Sequence, residues 1–162
     1  MTADHRFVTR ATVILDSFRR CVGRDLIDRS GDAAEDARRL FDLPQAVLAH
    51  DTSAAPLLDW ANLAAACAFE ATPETLLGRP SADTAPADAA ADRRALFDVL
   101  ARQGFVTGYS GVRISLTGRR FIIEDVTVFS LVDEAGHPAG HAAVIGSTRP
   151  AGLEASPGKP EA

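Results

Sequence analysis

From Val112 onward the chain takes up a two-residue period and doubles back twice within few residues. Val112, Ile114 and Leu116 alternate with Arg113 and Ser115, and Thr117-Gly118 then interrupts. A long apolar run continues to Val132, "DEAGHP" supplies a second turn, and "AGHAAVIG" forms the last strand. Parallel crossovers need about a dozen residues or more, so these three strands are antiparallel. Odd positions of the long run include Phe121, Ile123 and Phe129, and even positions include Ile122, Val126 and Val128. Both faces are therefore partly apolar, which predicts a sheet covered on both sides.

The residues before this sheet supply the covers. Phe7, Ala11, Ile14, Phe18 and Cys21 form a helical stripe that Gly23 stops. A short helix is predicted from about Ala33 to Phe41, with Asp32 as cap and Glu35 at capping-box spacing. Pro44 and the polar Asp51-Thr52-Ser53 turn bound a first strand at about Ala46–His50. Leu57, Leu58 and Trp60 form a second strand, followed at once by the Ala-rich helix "NLAAACAF", which Asn62 is placed to cap. Thr72-Pro73 starts a further short helix that Gly78 and Pro80 stop. Residues 81–92 read as a loop feeding a helix that ends at Gln103, with Gly104 as its C-terminal cap. The expectation is an α+β domain with a five-stranded antiparallel sheet, helices inserted between strands two and three, and helices ahead of it.

Charge and cysteines limit the function classes. The 162 residues carry a net charge of −5, so nucleic acid would have to be won by a local basic patch. The stretch Tyr109–Phe129 sets three arginines against Glu124 and Asp125, too small an excess for such a footprint. Nucleic acid and membranes are not expected partners; no run approaches the ~18 apolar residues of a membrane span. Cys21 and Cys67 have no metal-type spacing, and Cys67 reads as core packing. Reduced cysteines and the lack of a visible signal peptide place the chain in the cytoplasm.

Several segments are familiar as a set. "VLAHDT", "WANLAAACAFE", "TLLGRPSADT" and "RQGFVTGYSGVRISLTGRRFIIEDVTVFSLVDEAGHPAGHAA" together resemble the MEKHLA-domain family. That family is a PAS-like module found alone in bacteria and at the C-terminus of some plant homeodomain–leucine zipper factors. The resemblance runs roughly from Leu40 to Gly146. The literal string Met-Glu-Lys-His-Leu-Ala is absent, as is any homeodomain or zipper. It implies a PAS-like fold over residues 40–147; the apolar stripes ahead of it make 1–39 a helical segment, and the Gly-, Pro- and Ser-containing end, with few large apolar residues, reads as a disordered tail over 148–162. It also implies a sensory or protein-interaction role, with no ligand or cofactor specified.

In PAS-like folds the helices clasp one sheet face and leave a cavity. The residues expected to line it here are Trp60, Asn62, Phe69, Tyr109, Arg113 and Phe129. Simpler roles stand beside these: Trp60 can seal the core and Asn62 can cap a helix. Arg113 shares a strand face with Gly111 and Ser115, whereas Arg119 and Arg120 flank a turn and are solvated. Flavin-photoreceptor PAS domains carry a cysteine where this chain reads "GRPSADTAPADAA", so flavin-adduct chemistry is not expected. No histidine lies between Asp51 and Glu134, so the central helices offer no haem ligand; His50, at the end of the first strand, can instead bond a turn backbone, and His137 and His141, on a turn and a strand, form no convergent metal pair. "GYSGV" lacks one residue of the Gly-x-Ser-x-Gly elbow. The reading is a non-catalytic sensory domain that binds a small molecule or a protein and signals through a partner. The N-terminal helix either covers the sheet or pairs with a second copy in a homodimer. The alternative is a small-molecule enzyme on a compact α+β cavity fold.

Overall fold

A computed structural model describes residues 4–151. Helix α1 spans His5–Val22. Asp4 caps it by accepting from the Arg6 amide at 3.0 Å, and Gly23 ends it in the left-handed region at φ 91°. Helix α2 (Ala33–Phe41) starts where Asp32 accepts from the Glu35 amide at 2.9 Å. Strands β1 (Ala46–His50) and β2 (Leu58–Ala61) follow. Then come α3 (Leu63–Ala68), the single turn α4 (Pro73–Leu76) and two 3-10 turns at Ser81–Thr84 and Ala87–Ala89. Helix α5 (Ala90–Gln103) ends at Gly104, φ 85°, and leads straight into β3 (Phe105–Ile114), β4 (Arg120–Val132) and β5 (Pro138–Pro150).

The five strands form one antiparallel sheet in the order β2-β1-β5-β4-β3, with α3, α4 and α5 inserted between β2 and β3. Of the segment expected as a tail, Thr148, Arg149 and Pro150 instead continue β5, pairing with Ile123, Ile122 and Phe121. Residues 152–162 lie outside the described residues.

Both sheet faces are covered. On the outer face α1 and α2 lay Ile14, Leu15, Phe18 and Leu40 against Val47, Trp60, Phe129 and Leu131. Phe18 and Phe129 meet edge to face at 5.3 Å, each almost wholly buried, which contributes about 1.5–3 kcal/mol per ring. On the inner face α3, α4 and α5, with Phe69 at the end of α3, cover Leu48, Phe121, Ile123, Val126 and Val128.

Phe121 and Ile123 thus face inward at odd positions, while Val126 and Val128 face inward at even ones. Parity changes at Asp125, which sits at φ 54°. A Cβ on the opposing Gly146 would lie 2.7 Å from the Asp125 carbonyl oxygen, so this kink requires glycine across from it.

Candidate functional site

Between the inner sheet face and α5 lies a cavity of about 70 Å³. Leu48, Phe69, Leu96, Val128 and Ile145 make its apolar wall. His50, Ser81, Arg93, Tyr109, Arg113 and His141 bring polar groups to the same space.

Four of these form a relay. Arg93 Nη2 donates to Ser81 Oγ at 2.8 Å, Ser81 Oγ lies 2.9 Å from His50 Nδ1, and His50 Nε2 lies 3.1 Å from His141 Nδ1. A guanidinium can only donate, so the Ser81 proton is free to go to His50 Nδ1. Assigned from this network, both neutral imidazoles carry their proton on Nε2. Burial, the neighbouring His141 and the charge of Arg93 push His50 down to about 4. Burial and then Arg93 lower His141 as well.

A serine within reach of a histidine that a second histidine orients is the outline of a nucleophile and its base. The electrostatics work against that use. A base titrating at about 4 with a guanidinium nearby takes up a proton poorly at neutral pH. The relay is suited to holding polar groups in fixed orientation.

At the other end Arg113 is 8% exposed. Its Nη1 donates to the Val112 carbonyl at 2.8 Å and its Nη2 to the Tyr109 hydroxyl at 3.4 Å. The guanidinium carbon lies 5.6 Å from the Tyr109 ring centre. Tyr109 donates to Asp92 at 2.7 Å, and burial raises its pKa. A Cβ on Gly111 would stand 2.6 Å from the Tyr109 hydroxyl and 3.0 Å from Arg113 Nη1, so the missing side chain makes room for both. Arg93 lies 4.8 Å over the Phe97 ring, and its pKa is lowered by burial and then by Arg113.

Phe69, Tyr109 and Arg113 line the cavity. Trp60 and Phe129 do not: both belong to the outer-face core beneath α1, a correction to the expectation that they line it. Phe129 was misplaced by the parity change at Asp125. Trp60 stacks on Phe7 at 5.1 Å and donates Nε1–H to the Phe7 carbonyl at 3.2 Å. Asn62 is fully buried and structural in its contacts, and it too lies outside the cavity wall. Its Oδ1 accepts from the Val47 and Ala65 amides at 2.9 and 3.0 Å, and its Nδ2 donates to the Gln45 and Leu40 carbonyls at 2.8 and 3.2 Å. Cys67, expected in the core, is exposed.

His50, Ser81, Arg93 and His141 were not foreseen as a group. His50 and His141 are 91 residues apart, and only the register that pairs them across β1 and β5 brings them together. A first strand beside a last one, each with a histidine near the same end, was the available signal. The hairpin arginines find distant partners: Arg119 pairs with Glu70 at 3.3 Å and Arg120 with Asp88 at 3.1 Å, while Glu124 is taken by Arg149.

An antiparallel sheet in the order 2-1-5-4-3, with helices between strands two and three closing over a half-polar cavity, is the architecture of a PAS-like domain. Solved structures agree on the fold. A PAS domain from Colwellia psychrerythraea superposes with a TM-score of 0.61 at 16% identity, over 70% of this chain and 95% of that one. A PAS domain of a LuxR-family transcriptional regulator from Burkholderia thailandensis, in complex with ethanol, gives 0.53 at 17% identity, over 66% and 92%. An RNA-binding light-oxygen-voltage receptor gives 0.61 at 19% identity; the match takes 74% of this chain but only 34% of the receptor. No curated protein matches. The chain belongs to the MEKHLA domain family, whose model matches residues 8–149 and so takes in most of α1.

A flavin, found in light-oxygen-voltage relatives of this fold, does not fit. The cavity of about 70 Å³ falls far below the ~300 Å³ at which cofactor pockets begin, and neither Cys21 nor Cys67 lines it. Among the described residues no group of three potential metal ligands comes together, and no helix is long and apolar enough to cross a membrane.

Proposed function

We propose that this chain is a non-catalytic sensory domain whose cavity takes a small molecule and whose occupancy is passed across the sheet to a partner protein. The cavity carries the reading: seven polar side chains, Thr84 among them, converge on a space whose remaining wall is apolar. The ethanol bound by the Burkholderia PAS domain is of a size this space would admit. Phe69, Tyr109 and Arg113 would contact the ligand, joined by His50, Ser81 and Arg93.

The route outward runs through His50. Its ring lines the cavity, and its carbonyl oxygen accepts from Arg10 of α1 at 3.0 Å. Arg10 also pairs with Asp59 of β2 at 3.1 Å. A ligand that favours one position of His50 would therefore bias the seating of α1, provided it binds the two seatings with different affinity. The apolar side of α1 is spent on its own sheet, so a partner or a second copy would meet its polar outer side. Free thiols at Cys21 and Cys67 support a place in the cytoplasm.

Hydrogen exchange with and without cavity-sized molecules tests this. A ligand that raises the melting temperature saturably and also changes amide exchange in α1 is expected. A panel of such molecules that produces no melting shift, with α1 exchange unchanged, would leave a plain interaction module. A sedimentation series with mass independent of concentration would exclude the homodimer.

A further inference from the structure

Arg93 and Arg113 both line the cavity, and the charge of Arg113 is among the causes that lower Arg93. Among the described residues neither belongs to any ion pair. The nearby Asp92 spends a carboxylate oxygen on the Tyr109 hydroxyl instead. Arginines left unpaired at a surface are solvated. These two are not: Arg113 is 8% exposed and Arg93 is half-buried under a ring contact with Phe97. Each guanidinium has five N–H donors, and the protein takes one from Arg93 and two from Arg113. Two like charges brought together away from water are costly unless an anion joins them.

We propose that the cavity is a receptor site for a short-chain monocarboxylate, its carboxylate held between Arg93 and Arg113 and its tail against Leu48, Leu96 and Val128. This rests on the sensory reading above and names its ligand class. Planar forked donors match a carboxylate. The apolar remainder of the wall disfavours inorganic anions, which need polar partners on every side. In the same measure a water needs about 10–15 Å³, so about 70 Å³ admits a ligand of about five non-hydrogen atoms. Propionate has that size. Ser81, already donating to His50 and accepting from Arg93, stays with the relay, and the neutral histidines add no competing charge.

Titration calorimetry and thermal melts of the whole chain with propionate test the assignment, against propionamide, inorganic phosphate and chloride at matched ionic strength. Saturable binding of propionate is expected, with propionamide weaker by about tenfold or more. Arg93→Gln keeps an amide donor near Ser81 and removes the charge; it is expected to weaken propionate by a similar factor, as is Arg113→Gln. Should Arg113→Gln not fold, the Nε–H resonances of both arginines in the unaltered chain replace it. Both are expected to shift along the titration, and no shift overturns the site. Equal binding of propionamide, or of phosphate or chloride, also overturns it. If propionate fails while ethanol stabilises the chain, the carboxylate assignment falls and the sensory reading stands. If no small molecule binds, both fall.

Discussion

Arg10 of α1 holds the carbonyl oxygen of His50 at 3.0 Å, while the imidazole of the same His50 lines the inner cavity. One residue therefore touches the covering helix through its backbone and the candidate ligand space through its side chain. Arg10 also neutralises Asp59, whose pKa burial raises and Arg10 opposes. Arg10→Met is expected to cost about 1–3 kcal/mol in a urea titration, since it leaves a part-buried carboxylate and a carbonyl without their donor. In the same variant, ligand binding should persist while its effect on α1 hydrogen exchange disappears. Unchanged coupling in Arg10→Met would mean that the signal takes another route.

Acid stability follows from the paired histidines. His50 and His141 both have folded pKa values below the ordinary histidine value, His50 at about 4. The unfolded chain binds their protons first as pH falls, so stability is full above about 6.5 and declines toward about 4. Around His50 the charges are His141 on β5, Arg93 on α5, Arg10 on α1 and Asp51 just after β1, and only Asp51 favours protonation. His50 alone is expected to remove roughly 2 kcal/mol between pH 7 and pH 5. The lowered carboxylates Asp36, Asp51 and Glu70 act only at lower pH, and the raised Asp59 acts in the opposite sense, so the loss in this window comes from the histidines. Urea midpoints across that range check it: His50→Gln should flatten the slope, and a slope unchanged in His50→Gln would show that the imidazole is not its source.

Asn62 separates capping from clasping. As a plain helix cap, Asn62→Asp would be neutral and Asn62→Ala would cost about 1 kcal/mol. Here the amide nitrogen also donates to the Leu40 and Gln45 carbonyls, fastening the α2–β1 connection to the start of α3. Asp would turn an acceptor toward those carbonyls in a fully buried place. Both substitutions are therefore expected to cost at least about 3 kcal/mol by chemical denaturation. A near-neutral Asn62→Asp would reduce the residue to a cap.

Most of the fold was legible because its signals are local. Thr72-Pro73, Asp32 and Gly104 mark helix ends through contacts within a few residues, and the turns at Gly118 and Asp133–His137 force antiparallel neighbours. The site was legible only where strand alternation held. Arg113 was placed on the inner face because Gly111 to Ser115 keeps a strict period. Phe129 was not, because the left-handed backbone at Asp125 exchanges the faces beyond it, and a non-glycine at positive φ leaves no trace in composition. The histidine pair depends on register between strands 91 residues apart, which no local pattern encodes.

That register has a single tight point, at Gly140. A Cβ there would lie 1.9 Å from the His50 carbonyl oxygen, and the backbone sits at φ 103°. The carbonyl it would strike is the one Arg10 holds, and the neighbouring pair is His50 with His141. Gly140→Ala must therefore either push β1 away from β5 or twist both strands, and it acts on the sheet, the relay and the α1 contact together. Gly136 provides the control: its φ is 85°, but a Cβ there meets nothing within 4 Å. Gly136→Ala carries backbone strain alone, about 1 kcal/mol, whereas Gly140→Ala is expected to cost about 3 kcal/mol or more. Histidine titrations followed by NMR supply the second readout. Separation of the rings by Gly140→Ala should move the His50 pKa back up toward 6.5, since the lost packing admits water and removes the His141 charge. Equal costs for the two variants, with the His50 titration unmoved, would show that the β1–β5 approach is looser than this geometry requires.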